Sequence, residues 1–197
     1  MSTEDRQKWD QIHRGRGFFP TSPSSLLTAK ADYLPAPDHA ARAIDIAGGS
    51  GRHALWMAEH GFDATLLDIS EVGLQIAREE ADARGLHIAT VCADLEEQPL
   101  PTGPWHVILS FHYLQRSLIT QFATQLAPGG VLFFVQPTVR NLERHDRPSQ
   151  RFLLEEGELI TLAQRAGLEA QLYEEGWSEE GRHEALLIAT AGAPSTT

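Results

Sequence analysis

From residue 43 to residue 191 the chain alternates short, largely apolar runs with longer stretches in which apolar residues recur every three or four positions. The short runs at 43–47, 64–69, 88–93, 107–111 and 131–136 are near-continuously hydrophobic, which predicts strands covered on both faces. Between them Leu74, Ala77 and Ala81 fall at helical spacing behind Ser70, whose hydroxyl can accept the first free N–H groups of a helix, and Gly85 stands where that helix should stop. Leu159, Leu162, Ala163 and Ala166 repeat the stripe before Gly167. Two further runs, 168–174 and 185–191, are joined by a glycine-containing turn without a helical crossover, so this last pair is expected to be antiparallel. The pattern as a whole predicts an α/β domain with a seven-stranded, mostly parallel sheet, helices on both faces and an antiparallel C-terminal strand.

The ends lack this rhythm. Residues 1–40 contain prolines and one helical candidate around Trp9 and Ile12, and are expected to form a lid or wrap over a domain at 41–192. Residues 193–197 read as a frayed tail.

The most informative segment follows the first run. Asp45-Ile46-Ala47-Gly48-Gly49-Ser50-Gly51 leads into a helical stretch, 52–60, with Ala54, Leu55 and Ala58 on one side. Glycines at such a turn let a ligand approach main-chain N–H groups at a helix start. The segment 49–54 also fits a dinucleotide-binding fingerprint with a final alanine, so a nicotinamide-dependent oxidoreductase is an alternative, and a ligand-free turn is a third reading. The carboxylates shift the balance. Asp45, Asp68 and Asp94 close the first three strands at one edge of the sheet. A pyrophosphate would meet a crowd of negative charge there, whereas a sulfonium ligand carrying an ammonium group would meet favourable charge and needs no phosphate-binding lysine.

With Asp45, Ala47, Gly49 and Gly51 in the form acidic-x-Gly/Ala-x-Gly-x-Gly, the chain resembles the class I S-adenosylmethionine-dependent methyltransferases, a Rossmann-like family. Leu126-Ala127-Pro128-Gly129-Gly130 before the fifth strand and the final antiparallel pair are similar to that family as well. Within it, 52–58 and 152–159 resemble the bacterial tellurite-resistance methyltransferase group. The resemblance implies S-adenosylmethionine as cofactor and direct displacement at its sulfonium methyl. It implies that Gly49 and Gly51 pack on the methionine portion, Asp68 holds the ribose hydroxyls, and Asp94 with Leu95 brackets the adenine. Gly48, Ile69 and Phe111 are expected to complete the cofactor contacts. A non-catalytic cofactor-binding partner protein remains a further alternative.

Candidate acceptor residues follow from position. Phe111-His112-Tyr113 comes directly after the fourth strand, where His112 could orient an acceptor or take its proton and Tyr113 could donate a hydrogen bond; packing roles explain them equally. Arg140, Arg144, Arg147 and Arg151 crowd a polar stretch, and Arg147 and Arg151 are candidates to hold an anionic acceptor, set against a solvated loop neutralised by Glu143 and Asp146. Arg182 and His183, before the last strand, and Trp9 with His13 could close over the ligands.

Composition limits the partners. With 27 acidic against 16 basic residues the formal charge is −11, which disfavours nucleic acid and anionic lipid, so a small-molecule acceptor is expected. Cys92 is the only cysteine, excluding an internal disulfide. The histidines lack metal-ligand spacing, so no metal is expected. The polar N-terminus and the absence of a run of roughly 20 apolar residues point to a cytoplasmic protein without a membrane span.

Overall fold

A computed structural model describes residues 3–15, 22–37 and 41–192. Two helices lead in, α1 (Thr3–Gly15) and the short α2 (Ser25–Ala29). The chain then runs through β1 (Arg42–Ile46), α3 (Arg52–Glu59), β2 (Asp63–Asp68), α4 (Glu71–Arg84), β3 (Ile88–Cys92), β4 (Trp105–Phe111), α5 (Arg116–Gln125), β5 (Leu126–Pro137), α6 (Glu158–Arg165), β6 (Leu168–Trp177) and β7 (His183–Ala191). These strands form one sheet in the order β3-β2-β1-β4-β5-β7-β6. The pairs among β1 to β5 are parallel, and β7 is antiparallel to both neighbours. The tail at 193–197 and parts of the expected lid, 1–2, 16–21 and 38–40, lie outside the described residues.

The uninterrupted hydrophobicity of the strands is explained by two cores. Alternate residues Leu66, Leu109, Phe133 and Ile188 face α2, α3 and α4, where Leu27, Leu55 and Leu74 meet them. Their neighbours Leu67, Ile108, Phe134 and Leu187 face α5 and α6, where Phe122 and Leu159 close the second layer. The period-two alternation of a strand thus sends each half of its side chains into a different apolar layer. Helix α4 ends as its sequence predicts: the Ser70 hydroxyl accepts from Gly73 N at 3.1 Å, and Gly85 takes the left-handed conformation at φ 67°.

Three features differ from the pattern-based expectation. The fifth strand begins at Leu126 rather than 131, because Leu126 pairs with Trp105 across a register shift in β4. Gly130 permits this close crossing, since a Cβ there would lie 2.7 Å from the Trp105 carbonyl oxygen. Helix α5 adds a layer the periodicity did not mark; only Leu118, Ile119 and Phe122 of it are buried. The last strand starts at His183, so His183 belongs to the sheet and does not precede it.

Candidate active site

Strand order reverses direction between β1 and β4, and in such a sheet the carboxyl ends at the switch point are where a crevice opens. The loop from β1 to α3 forms its floor. Ala47, Gly49 and Gly51 all have positive φ, at 53°, 61° and 80°. Such a backbone keeps the turn tight and directs N–H groups toward the sheet edge. Gly48 touches the loop's own acid, for a Cβ there would come within 2.3 Å of Asp45 Oδ2.

The three aspartates lie at this edge, but all are buried rather than solvated. Asp45 sits one residue before the end of β1 and accepts from Ala54 N at 3.2 Å through Oδ2. Its Oδ1 has no hydrogen bond among the described residues, and His53 Nδ1 lies 3.8 Å from it. Asp68 takes Gly49 N on Oδ2 and Ser70 N on Oδ1, both at 2.8 Å. Burial raises its pKa above the ordinary value, opposed by these two N–H donors and by His13. Asp94 stands two residues beyond β3 and accepts from Glu96 N at 3.0 Å.

Beside Asp68 a small, narrow cleft is walled by Ala47, Leu67, Ile69, Ala93, Leu95 and Tyr113. Ile69 and Leu95 line this cleft, and Tyr113 lies with them. Its hydroxyl donates to Gln115 Oε1 at 2.7 Å while Gln115 holds the Leu95 carbonyl, and burial pushes the phenol far above its usual range. Tyr113 thus borders the cleft with Asp68, whereas His112 turns to another partner. Phe111 packs into the core, its ring 4.2 Å from that of His53 and 5.5 Å from that of Phe133.

His112 has φ 60°, uncommon for a residue with a Cβ, and its N–H is held by the Val135 carbonyl at 2.8 Å. Its Nε2 lies 2.6 Å from Oε1 of Glu184, a buried carboxylate on β7. Arg52, the first residue of α3, is half-buried nearby and makes no hydrogen bond or ion pair with a described residue. Burial lowers its pKa, against the attraction of Glu180, Asp45 and Glu184. Neither Arg52 nor Glu184 was marked by the sequence, where one reads as a helix-start arginine and the other as a strand carboxylate.

The other acceptor candidates do not converge. Arg147 is exposed, with only its carbonyl engaged, by Asn141 Nδ2 at 3.0 Å. Arg151 is exposed and stacks 4.4 Å over Phe152. Arg182 pairs with Glu180 at 2.7 Å. His183, expected at the acceptor, is buried; its Nδ1 is 2.7 Å from Thr138 Oγ1 and its ring meets the edge of Trp177. It latches the segment after β5 to β7, because a ring filling a core position cannot also face the crevice. The expected neutralisation of the arginine loop is also incomplete: Glu143 pairs with Arg140 at 2.9 Å, while Arg144 lies 3.7 Å over Trp177.

Helix α1 covers the glycine loop. Asp10 accepts from the Ser70 hydroxyl at 2.6 Å, and His13 is buried so close to the loop that a Cβ on Gly49 would lie 3.3 Å from its Cε1. Trp9 shares that face, its ring centroid 6.3 Å from His13.

Residues 43–130 match the methyltransferase domain family. The tRNA 5-carboxymethoxyuridine methyltransferase of Escherichia coli K12 is 30% identical over 120 residues, 56% of this chain, and the aligned part spans about half of that relative, 46%. Among solved structures, TehB from Haemophilus influenzae superimposes with a TM-score of 0.70 at 19% identity, covering 93% of this chain and 66% of that one. The [4+2]-cyclase SpnF gives 0.71 at 19% identity over 86% and 80%. These likenesses carry the fold, and SpnF marks that the fold hosts more than one chemistry.

The cofactor that the family implies is S-adenosylmethionine, and the residues present fit it. The orphaned acceptor Asp45 Oδ1 suits an ammonium donor. Each oxygen of Asp68 has accepted one N–H and keeps a lone pair for a ribose hydroxyl. The apolar side chains Ile69, Ala93 and Leu95 beside it have the chemistry to flank a flat base. Three buried carboxylates around the loop fit a cationic ligand better than a pyrophosphate. In sequence the stretch 43–130 matches the methyltransferase domain family, and it sits in a chain whose Rossmann-like fold is shared with TehB and SpnF.

Proposed function

We propose that this chain is an S-adenosylmethionine-dependent methyltransferase whose acceptor enters beside His112 and Arg52. The observation that carries the proposal is the set of buried carboxylates Asp45, Asp68 and Asp94 around a glycine loop within the matched family region. When bound, the cofactor supplies a methyl group on a sulfonium, a leaving group that is already activated. The chain's own residues then have to hold, orient and desolvate the acceptor, and orientation alone is worth about 10⁵ M or more in effective molarity. A small-molecule acceptor is the primary reading, since the formal charge of −11 opposes a polyanion at long range. A cytoplasmic setting belongs to the same proposal.

A second acceptor class has specific support. Arg144, Arg147 and Arg151 are exposed without a carboxylate ion pair among the described residues, and Phe152 is exposed beside them. Guanidinium groups with an aromatic face suit single-stranded nucleic acid, and the E. coli relative is named for a tRNA nucleoside. The test is calorimetry with S-adenosylmethionine, S-adenosylhomocysteine and NAD, followed by filter binding of total tRNA across a salt series. Binding of the first two alone supports the methyltransferase, whereas binding of NAD alone rejects it. Salt-dependent tRNA retention moves the acceptor to the second class.

A further inference from the structure

We infer that Glu184 is a positioning residue that fixes His112 as a proton acceptor, and that the acceptor is therefore a hydroxyl or amine that must lose a proton as it is methylated. The inference rests on the methyl-transfer reading.

A carboxylate at neutral pH offers only lone pairs, so the 2.6 Å contact from Glu184 Oε1 requires the proton of a neutral imidazole to sit on Nε2. Nδ1 then carries the basic lone pair. The histidine side chain is 33% exposed and its carboxylate partner 5%, so Nε2 is the ring nitrogen turned to a buried group and Nδ1 is the one left to meet an acceptor. Nδ1 has no hydrogen-bond partner among the described residues, on a residue that is itself exposed. The backbone supports the same orientation. His112 holds a left-handed φ of 60° at the carboxyl end of β4, with its N–H tied to Val135, and such a conformation persists only where surrounding contacts enforce it. Arg52, which makes no carboxylate ion pair with a described residue, is close enough to Glu184 for the two charges to attract.

The step balances without a further reagent. The acceptor's lone pair forms the new bond to the methyl carbon, the electron pair of the broken sulfur–carbon bond stays on sulfur, and the acceptor proton passes to His112 Nδ1. The positive charge leaves the sulfonium and ends on an imidazolium facing Glu184. A thiol or selenol, which ionises unaided, would need none of this arrangement.

The test begins with the ring itself. Nitrogen-detected NMR of the wild-type protein with ¹⁵N-histidine should show His112 as the Nε2–H tautomer, the signal being assigned by its loss in His112→Asn, since asparagine tolerates a left-handed φ. Glu184→Gln should lose or mix that tautomer while S-adenosylmethionine binding stays unchanged. An Nδ1–H tautomer in the wild type overturns the inference, whatever the variant does. So does a Glu184→Gln protein that binds the cofactor and keeps the wild-type tautomer. Matched acceptor probes, phenol with thiophenol and ethanolamine with cysteamine, address the class. Methylation of the hydroxyl or amine members that falls at least tenfold in Glu184→Gln supports it. Methylation of the thiols alone, at a rate the variant leaves unchanged, overturns it. Failure to bind S-adenosylmethionine removes the methyltransferase reading without touching the tautomer result, so the two failures are distinguishable.

Discussion

Asp68 is expected to act on both binding and stability, because its two oxygens satisfy Gly49 N and Ser70 N in a buried setting. Replacing it with asparagine turns one acceptor into an NH₂ facing an N–H, a fixed loss on the order of 1–3 kcal/mol. A pH-dependent part adds to this. Burial raises the pKa above the ordinary 3.8, so the folded chain holds this proton to higher pH than the unfolded one. The group favours the fold below its unfolded value, and that contribution is lost as pH rises through the folded value. Asp68→Asn has no such dependence, so its melting temperature should gain on that of the wild type as pH rises above the ordinary carboxylate value of 3.8. A gap that does not change with pH rejects this account. The variant should also weaken S-adenosylmethionine binding by calorimetry.

At the scale of elements, α1 covers the glycine loop, and the segment after β5 carries the exposed arginines. Asp10 ties α1 to the start of α4 through the Ser70 hydroxyl and Val72 N. Asp10→Ala should speed amide exchange in α1 and leave the sheet protected, because local opening follows the contacts that hold a unit. Equal acceleration in β1 and β4 would make α1 part of the global unit. Arg147 and Arg151 are exposed, so changing both to alanine should alter stability by no more than about 0.5 kcal/mol per site and leave cofactor affinity as it was. If they hold an anionic acceptor, its KM rises about tenfold for each 1.4 kcal/mol lost. An unaltered KM assigns the pair to solvent.

For the whole molecule, the antiparallel end of the sheet is as central as the parallel half. β7 lies between β5 and β6, and Leu187 is fully buried opposite Phe134. Leu187→Ala should cost about 2–5 kcal/mol, read from urea unfolding with an unchanged slope. A loss under about 1 kcal/mol would mean that this end of the sheet repacks freely.

Local chemistry determined much of this architecture. The strand runs, the Ser70 and Gly85 helix ends, the glycine loop and its three aspartates were all legible, because each depends on residues close in sequence. Apolar runs call for burial on both faces, and a left-handed turn calls for glycine. Strand order, the early start of β5 and the inward turn of His183 were decided only in three dimensions. The His112–Glu184 contact joins residues separated by 72 positions, and no periodicity encodes a pairing set by β7 threading beside β5. In the same way the burial of Asp45, Asp68 and Asp94 came from neighbouring strands and covering elements, not from their own sequence. Sequence chose the groups at the carboxyl edge; tertiary packing decided which of them lost water and which faced one another, since desolvation and distance are properties of the folded surroundings.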